Sequence, residues 1–294
     1  MGRGCALVCE GVTGMPVKRP TIGLALGSGS ARGLSHIGVI RAIEEAGIPI
    51  DVVAGTSIGA LIGAGYAAGR LDELEAAFRN LDRKGIGALV DPVLPRSGLI
   101  EGKRIAAFMQ RHLALRTFEQ LPIPFCAVAA DIATGDEVVI ADGDLISGVR
   151  ASISVPGVFT PVRRRSRMLV DGGLVNPVPV SPARALGADL VIAVDLNYGI
   201  VGGKRGRAEP SRSRRGGPRR TPSPGMVEVL LASLYIMQVR VTESRLHVDP
   251  PELLIRPPLS SVRLFEFDRA AELIDIGYRS ATGPVREFAR NLLL

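Results

Sequence analysis

Gly55-Thr56-Ser57-Ile58-Gly59 reads as G-x-S-x-G between a strand pattern and a helix pattern. A serine at such a turn projects from a tight bend, and Gly55 and Gly59 let strand and helix pack without side-chain collision. The helix that follows points its positive end at an oxygen that is gaining charge. The chemistry this suits is nucleophilic attack on an acyl carbon. A plain Gly/Ser-rich strand–helix turn competes, and the pentapeptide alone does not separate the two.

A serine hydroxyl needs a base, and the chain holds only three histidines, His36, His112 and His247. His36 falls on the first helix, where a surface or packing role is expected. His112 falls at a helix C-terminus, where a basic group suits the dipole. His247 falls in a loop before Asp249-Pro250-Pro251. A Ser57–Asp–His247 order is open by count, but no histidine has supporting context. Asp171 has it: it ends a short strand and precedes Gly172 and Gly173, which strip bulk from around the carboxylate. An ordinary carboxylate, with a pKa near ~3.9, is a poor base for serine, so desolvation and direct contact are required.

The third feature is the loop Gly27-Ser28-Gly29-Ser30-Ala31-Arg32-Gly33 after the first strand. Its backbone N–H groups suit a phosphate or an oxyanion. A dinucleotide fingerprint would need glycine where Arg32 stands, and Asp51 is better explained as the start of the second strand than as a ribose ligand.

The elements that must position these groups follow from the apolar pattern. Residues 21–26 and 51–55 read as buried strands, with helices over 33–47 and 58–66. This β-α-β-α start demands parallel strands covered on both faces. Helices are expected over 71–81, 102–113, 144–152 and 182–186, and an antiparallel hairpin over 125–130 and 137–140. Short strands are expected at 168–170 and 253–255, and the clearest strand at 189–194. The fold class is α/β, a three-layer α/β/α sandwich with a mainly parallel central sheet. The expected organisation is a flexible tail over 1–20, a catalytic domain over 21–198, a basic linker or insertion over 199–225, and a C-terminal helical segment over 226–294 that packs on the domain.

Composition bounds the function. Aromatics are 4% with no Trp, which argues against base-stacking platforms, and no nucleic-acid partner is expected. Cys5, Cys9 and Cys126 are too few and too unevenly spaced for a disulfide framework. Cys126 reads as a small core residue, and the set fits a reducing, cytoplasmic setting. No metal site or acidic calcium loop is apparent. Residues 1–18 lack a secretory apolar region, and no apolar run approaches the ~20 residues of a membrane span. Much of the net charge of +7 sits in Lys204, Arg205, Arg207, Arg212, Arg214, Arg215, Arg219 and Arg220. A solvated basic run is the preferred reading, and transient contact with an anionic membrane surface is the functional one. Val227, Leu230, Leu231, Leu234, Tyr235 and Met237 follow at helical spacing and either pack on the domain or lie on lipid.

Taken in order, the loop over 27–33, Gly55-Thr56-Ser57-Ile58-Gly59 and Asp171-Gly172-Gly173 resemble the patatin-like phospholipase family. The likeness is strongest to its bacterial RssA-type branch, which is related to the catalytic domain of neuropathy target esterase. Ser35-His36-Ile37-Gly38-Val39, Arg150-Ala151-Ser152-Ile153-Ser154-Val155-Pro156-Gly157 and Leu174-Val175-Asn176-Pro177 extend it over residues 21–196. The resemblance implies a Ser–Asp dyad in which Ser57 attacks and Asp171 accepts its proton. It implies that backbone amides among Gly27, Ser28, Gly29, Ser30, Ala31 and Arg32 form an oxyanion hole, with Gly55, Gly59, Gly172 and Gly173 in support. Ser28 and Ser30 stand where the family usually has glycine. Arg32 matches the family's basic loop residue and has a structural role or binds a headgroup phosphate. Ser152 and Ser154 read as packing or helix-end residues. The implied function is a cofactor-independent serine acyl hydrolase of lipid esterase, phospholipase or lysophospholipase type. Its partner is a lipid or acyl-ester substrate, and its oligomeric state is open. A non-catalytic regulatory protein retaining the fold and a nucleotide binder using the 27–33 loop are the alternatives.

Overall fold

The computed structural model describes residues 19–94, 98–200 and 225–292, without side chains at 226–228. The expectations for the N-terminal tail, Cys5, Cys9, the basic run over 204–220 and Val227 lie outside this description.

Eight strands form one sheet: β1 (Ile22–Leu26), β2 (Val52–Thr56), β3 (Phe125–Asp131), β4 (Glu137–Ile140), β5 (Val162–Arg164), β6 (Arg167–Asp171), β7 (Leu190–Val194) and β8 (Leu253–Ile255). Their order is β5-β6-β3-β2-β1-β7-β8, with β4 also paired to β3. The run from β3 to β8 is parallel, whereas β4 and β6 lie antiparallel to β3, and β5 to β6. Nine helices accompany it among the described residues: α1 (Ser35–Glu45), α2 (Ile58–Ala67), α3 (Leu71–Arg79), α4 (Arg83–Ala88), α5 (Lys103–Leu113), α6 (Leu145–Ser152), α7 (Val180–Ala185), α8 (Met226–Val248) and α9 (Ala270–Leu292). The fold is the expected mainly parallel α/β sheet with helices on both faces.

Strand alternation divides the core in two. Leu24 and Leu26 point into the larger cluster with Ile37 of α1, Ile62 of α2 and Leu273 of α9. Ala25, Ala54 and Cys126 point the other way, against Ala183 of α7, with Leu246 of α8 packed alongside. Cys126 is therefore a buried strand residue, and burial pushes its thiol up to about 12. The C-terminal residues share this sheet, because β8 pairs with β7.

Two elements escape sequence reading. α4 is short and holds Gly85 and Gly87, and its start is fixed by the Asp82 carboxylate accepting from the Gly85 amide at 2.7 Å. β5 is Val-Arg-Arg at the sheet edge, where charged residues suit an unpaired flank but hide the strand pattern. The helix expected from 33 begins at Ser35, after a 3-10 turn over Ser30–Leu34.

Candidate active site

β2 runs out at Thr56, and the chain reverses into α2 through a single residue. That residue, Ser57, has φ 57° and ψ −123°, a region that costs a non-glycine residue about 1–3 kcal/mol. The bend is held from both sides. The Ser57 amide donates to Ser152 Oγ at 2.9 Å, and Ser152 donates its own proton to the Val128 carbonyl at 2.5 Å. The Thr56 hydroxyl donates to the Asn176 carbonyl at 2.8 Å. Gly59 lets the first turn of α2 pass against the Leu26 and Gly27 carbonyls, where any Cβ would collide. α2 starts directly behind Ser57, so its positive end adjoins the hydroxyl.

The register of β3 brings Asp171 to this hydroxyl. β4 covers residues 127–130 of β3 along one edge, so β2 and β6 share the other. β2 occupies that edge as far as Thr56 opposite Val128, and β6 takes over with Asp171 opposite Ala129. Ser57 Oγ then donates to Asp171 Oδ2 at 2.5 Å, while Asp171 Oδ1 accepts from the Gly173 amide at 2.7 Å. Gly172 allows the turn to hug β3, since a Cβ there would strike the Val128 carbonyl. Asp171 is buried, and burial raises its pKa from 3.8 to about 6 against the opposing pull of the Ser57 and Gly173 hydrogen bonds.

In the glycine loop, several amides are engaged elsewhere. Gly27 N donates to Val194 O, Ser28 N to Pro177 O and Ala31 N to Leu264 O, at 2.8–3.1 Å. The Gly29 and Ser30 amides have no acceptor among the described residues. Both residues line the same cavity as Ser57 and Asp171. Ser30 adopts φ 53°, held by its hydroxyl donating to Leu264 O at 2.6 Å. Arg32 is buried: Nε donates to Gly29 O at 3.1 Å, Nη2 to Asn197 Oδ1 at 3.2 Å, and the guanidinium lies 4.9 Å from the Tyr235 ring centroid. These contacts give Arg32 a structural role in the loop.

Several residues at the site carry no local signal in the sequence. Ser152 ends α6, as read from sequence, yet it also fixes the Ser57 amide. His36 is fully buried rather than on a helix surface, with Nε2 2.8 Å from Gly27 O. A carbonyl has no proton to give, so Nε2 is the donor. Desolvation drives the ring's pKa from 6.5 down to about 4, which keeps it neutral. None of the three histidines lines the cavity holding Ser57. His112 packs on Phe108, and His247 lies in the last turn of α8 rather than in a loop. Asp51 is tied to Arg19 and to the Ile22 amide. Among the described residues, no group of three or more His, Cys, Asp or Glu could hold a metal ion.

The model of the family described as patatin-like phospholipase matches residues 24–184, more than half of the chain and a span that holds both Ser57 and Asp171. The chain belongs to the patatin-like phospholipase family. An uncharacterised NTE family protein of Mycobacterium bovis is 33% identical over 333 residues, covering 92% of each chain. The human patatin-like phospholipase domain-containing protein 6 is 33% identical over 283 residues, covering 88% of this chain and 20% of its own length. Among solved structures, VipD from Legionella pneumophila aligns with a TM-score of 0.47 at 13% identity, covering 92% of this chain and 67% of VipD. Membership of the family supports a lipid hydrolase function.

In this patatin-like chain, the Ser57–Asp171 pair lies in the wall of a cavity of about 180 Å³. The rest of the wall is almost wholly apolar. Leu61, Phe78, Ile86, Phe108, Val158 and Phe267 come from the α/β core and its covering helices. α8 adds Leu231, Leu234 and Tyr235 from inside, while Leu230 and Met237 stay exposed. No helix among the described residues is long and apolar enough to cross a membrane.

Proposed function

We propose that this chain hydrolyses carboxylic esters of lipid-like substrates through a Ser57–Asp171 dyad. Ser57 Oγ attacks the acyl carbon and its proton passes to Asp171 Oδ2. The Gly29 and Ser30 amides then take the oxyanion, a contribution of about 3 kcal/mol per donor. Collapse of the tetrahedral species expels the alkoxide, which leaves with the proton from Asp171. Water then attacks the acyl-enzyme and gives its proton to Asp171, and collapse releases the acid while Ser57 Oγ takes that proton back.

The observation that carries this reading is the 2.5 Å Ser57–Asp171 hydrogen bond in the wall of an apolar cavity. A carboxylate can serve as the base because burial lifts its pKa to about 6, toward the operating range. The cavity walls suit an acyl chain. A purely regulatory role would not require a strained serine beside a desolvated carboxylate. Nucleotide binding is supported less, because the amides that would cradle a phosphate are partly engaged and Asp51 is tied to Arg19. Turnover of a short-chain p-nitrophenyl ester, with a fluorophosphonate label mapping to Ser57, tests the reading. Full turnover in Ser57→Ala would overturn it.

The reading extends to transient contact with an anionic membrane surface from the cytoplasmic side. Several exposed apolar residues line the cavity or adjoin its wall. Val90 and Phe265 are exposed and also line it, Leu99 donates its amide to Val158 O, and Leu230 lies against Gly157. Leu94 is 80% exposed, and Arg83 and Lys84 stand on α4 nearby. Such a rim lets an acyl chain move from lipid to cavity without crossing water.

A further inference from the structure

Gln238 of α8 touches both halves of the site. Its Oε1 accepts from Ser28 Oγ at 3.1 Å and from Asn197 Nδ2 at 3.1 Å, and Asn197 Nδ2 also donates to Ser28 Oγ at 3.1 Å. The other end of the same carboxamide lies beside Gly173, so close that a Cβ on Gly173 would meet Nε2. Gln238 also lines the cavity with Ser57 and Asp171.

The orientation of this carboxamide is imposed from a distance. Arg32 is a permanent cation, so Asn197 must turn Oδ1 toward it, at 3.2 Å. That sends Asn197 Nδ2 toward Gln238, which must answer with Oε1. Nε2 is then left facing the Gly173 turn, whose amide holds Asp171 Oδ1 at 2.7 Å. One turn earlier on α8, Tyr235 stacks under the same Arg32.

We infer that Gln238 is a positioning residue of the hydrolytic site. It clamps the glycine loop through Ser28 and keeps an N–H2 dipole on the Asp171 side of the cavity. The inference rests on the hydrolase reading for its consequence in rate, and on the hydrogen-bond network alone for its consequence in structure. α8 thereby becomes part of the site: the Gly29 and Ser30 amides hold their places only while the helix is seated. The groups facing Asp171 are the Ser57 hydroxyl, the Gly173 amide, and Gln238 and Tyr235 from α8, with Arg32 behind Tyr235.

Three measurements test this. Gln238→Ala should lower kcat about tenfold with KM within about twofold, and should be non-additive with Ser28→Ala. Gln238→Glu keeps the shape and the Oε1 acceptor but sets a carboxylate oxygen beside Asp171, so the acid limb of the rate profile should move up by about one pH unit. Hydrogen exchange over residues 27–34 should quicken in Gln238→Ala, a readout that needs no turnover. Unchanged exchange, or a Gln238→Glu profile that keeps the wild-type limb, overturns the inference. Absence of Ser57-dependent turnover in the wild type instead refutes the hydrolase reading, and the exchange measurement still decides the clamp.

Discussion

Ser57 and Asp171, 114 residues apart, meet because β2 and β6 occupy successive stretches of one edge of β3. The strand acts as a ruler: the residue after Thr56 and the residue opposite Ala129 have to be neighbours. Their hydrogen bond is therefore a property of sheet register rather than of flexible loops. That rigidity suits the proposed dyad, in which the Gly173 amide also holds the carboxylate in place through Oδ1. It also concentrates the consequences of substitution on a few positions.

Asp171→Asn keeps the size of the side chain but removes the proton acceptor. Under the proposed mechanism kcat falls by roughly 10²–10⁴-fold, the contribution expected of a general base. Steady-state kinetics on a soluble ester, beside His247→Ala at wild-type rate, checks the assignment. Loss of activity in the histidine variant with a fully active Asp171→Asn enzyme would reverse it.

The same substitution should stabilise the fold. A rise in the pKa of Asp171 from 3.8 to about 6 corresponds to roughly 3 kcal/mol of preference for the protonated form. Because the folded value lies above the unfolded one, this contribution is fully present below the ordinary carboxyl range and is lost as pH rises through about 6. At pH 8 the wild type carries a buried carboxylate that Asp171→Asn does not. Thermal melts should put the variant several degrees above wild type at pH 8, with the gap closing by pH 4. Equal melting temperatures at pH 8 would contradict the desolvation account.

The pH–rate profile follows from the same group. Under the proposed mechanism Asp171 must be ionised, so kcat/KM should rise through about pH 6 and level above it. A histidine base would give a limb in a similar place. Carboxyl ionisation, however, is almost independent of temperature, whereas imidazole ionisation is not. Profiles at two temperatures with coincident limbs identify the carboxylate.

Much of this is legible in the sequence, and the rest is hidden for physical reasons. Buried parallel strands are continuous apolar runs, so 22–26 and 190–194 announce themselves, and Gly-x-Ser-x-Gly and Asp-Gly-Gly mark their own turns. The register of β3 is silent, because Phe-Cys-Ala-Val-Ala-Ala-Asp is buried on both faces and has no alternation to fix a partner. Ser152, Asn197 and Gln238 act across long sequence separations, and a polar side chain bonded to a distant partner leaves no spacing rule. In the sequence, His36 is one more residue on an apolar helix. What distinguishes it is complete burial against Gly27 O, which only packing reveals.

His36 gives a second stability prediction of opposite sign. Its folded pKa, about 4, lies below the ordinary 6.5, so its contribution is present above 6.5 and is lost as pH falls toward 4. His36→Phe removes that acid sensitivity but leaves Gly27 O without its donor, a cost of about 1–3 kcal/mol at neutral pH. Denaturant melts should show the variant below wild type at pH 7 and approaching it at pH 4. A constant gap across that range would mean the ring is not buried neutral.

The proposed contact of the cavity rim with lipid can be tested because the chain has no Trp, so one introduced indole reports alone. Phe265→Trp sits at the cavity mouth, and Ile132→Trp sits on an exposed turn that lines no part of the cavity. In a Ser57→Ala background, which removes turnover, anionic vesicles should shift the emission of the Phe265→Trp variant to the blue and leave that of Ile132→Trp unchanged. The shift should weaken with salt, since attraction of exposed basic residues is screened over about 10 Å at 0.1 M ionic strength. Neutral vesicles at low salt should bind less. Equal shifts in both variants, or none in Phe265→Trp, would mean the mouth does not face the lipid. Because binding is read without hydrolysis, that result would leave the Ser57–Asp171 chemistry standing and remove only the orientation proposed for it.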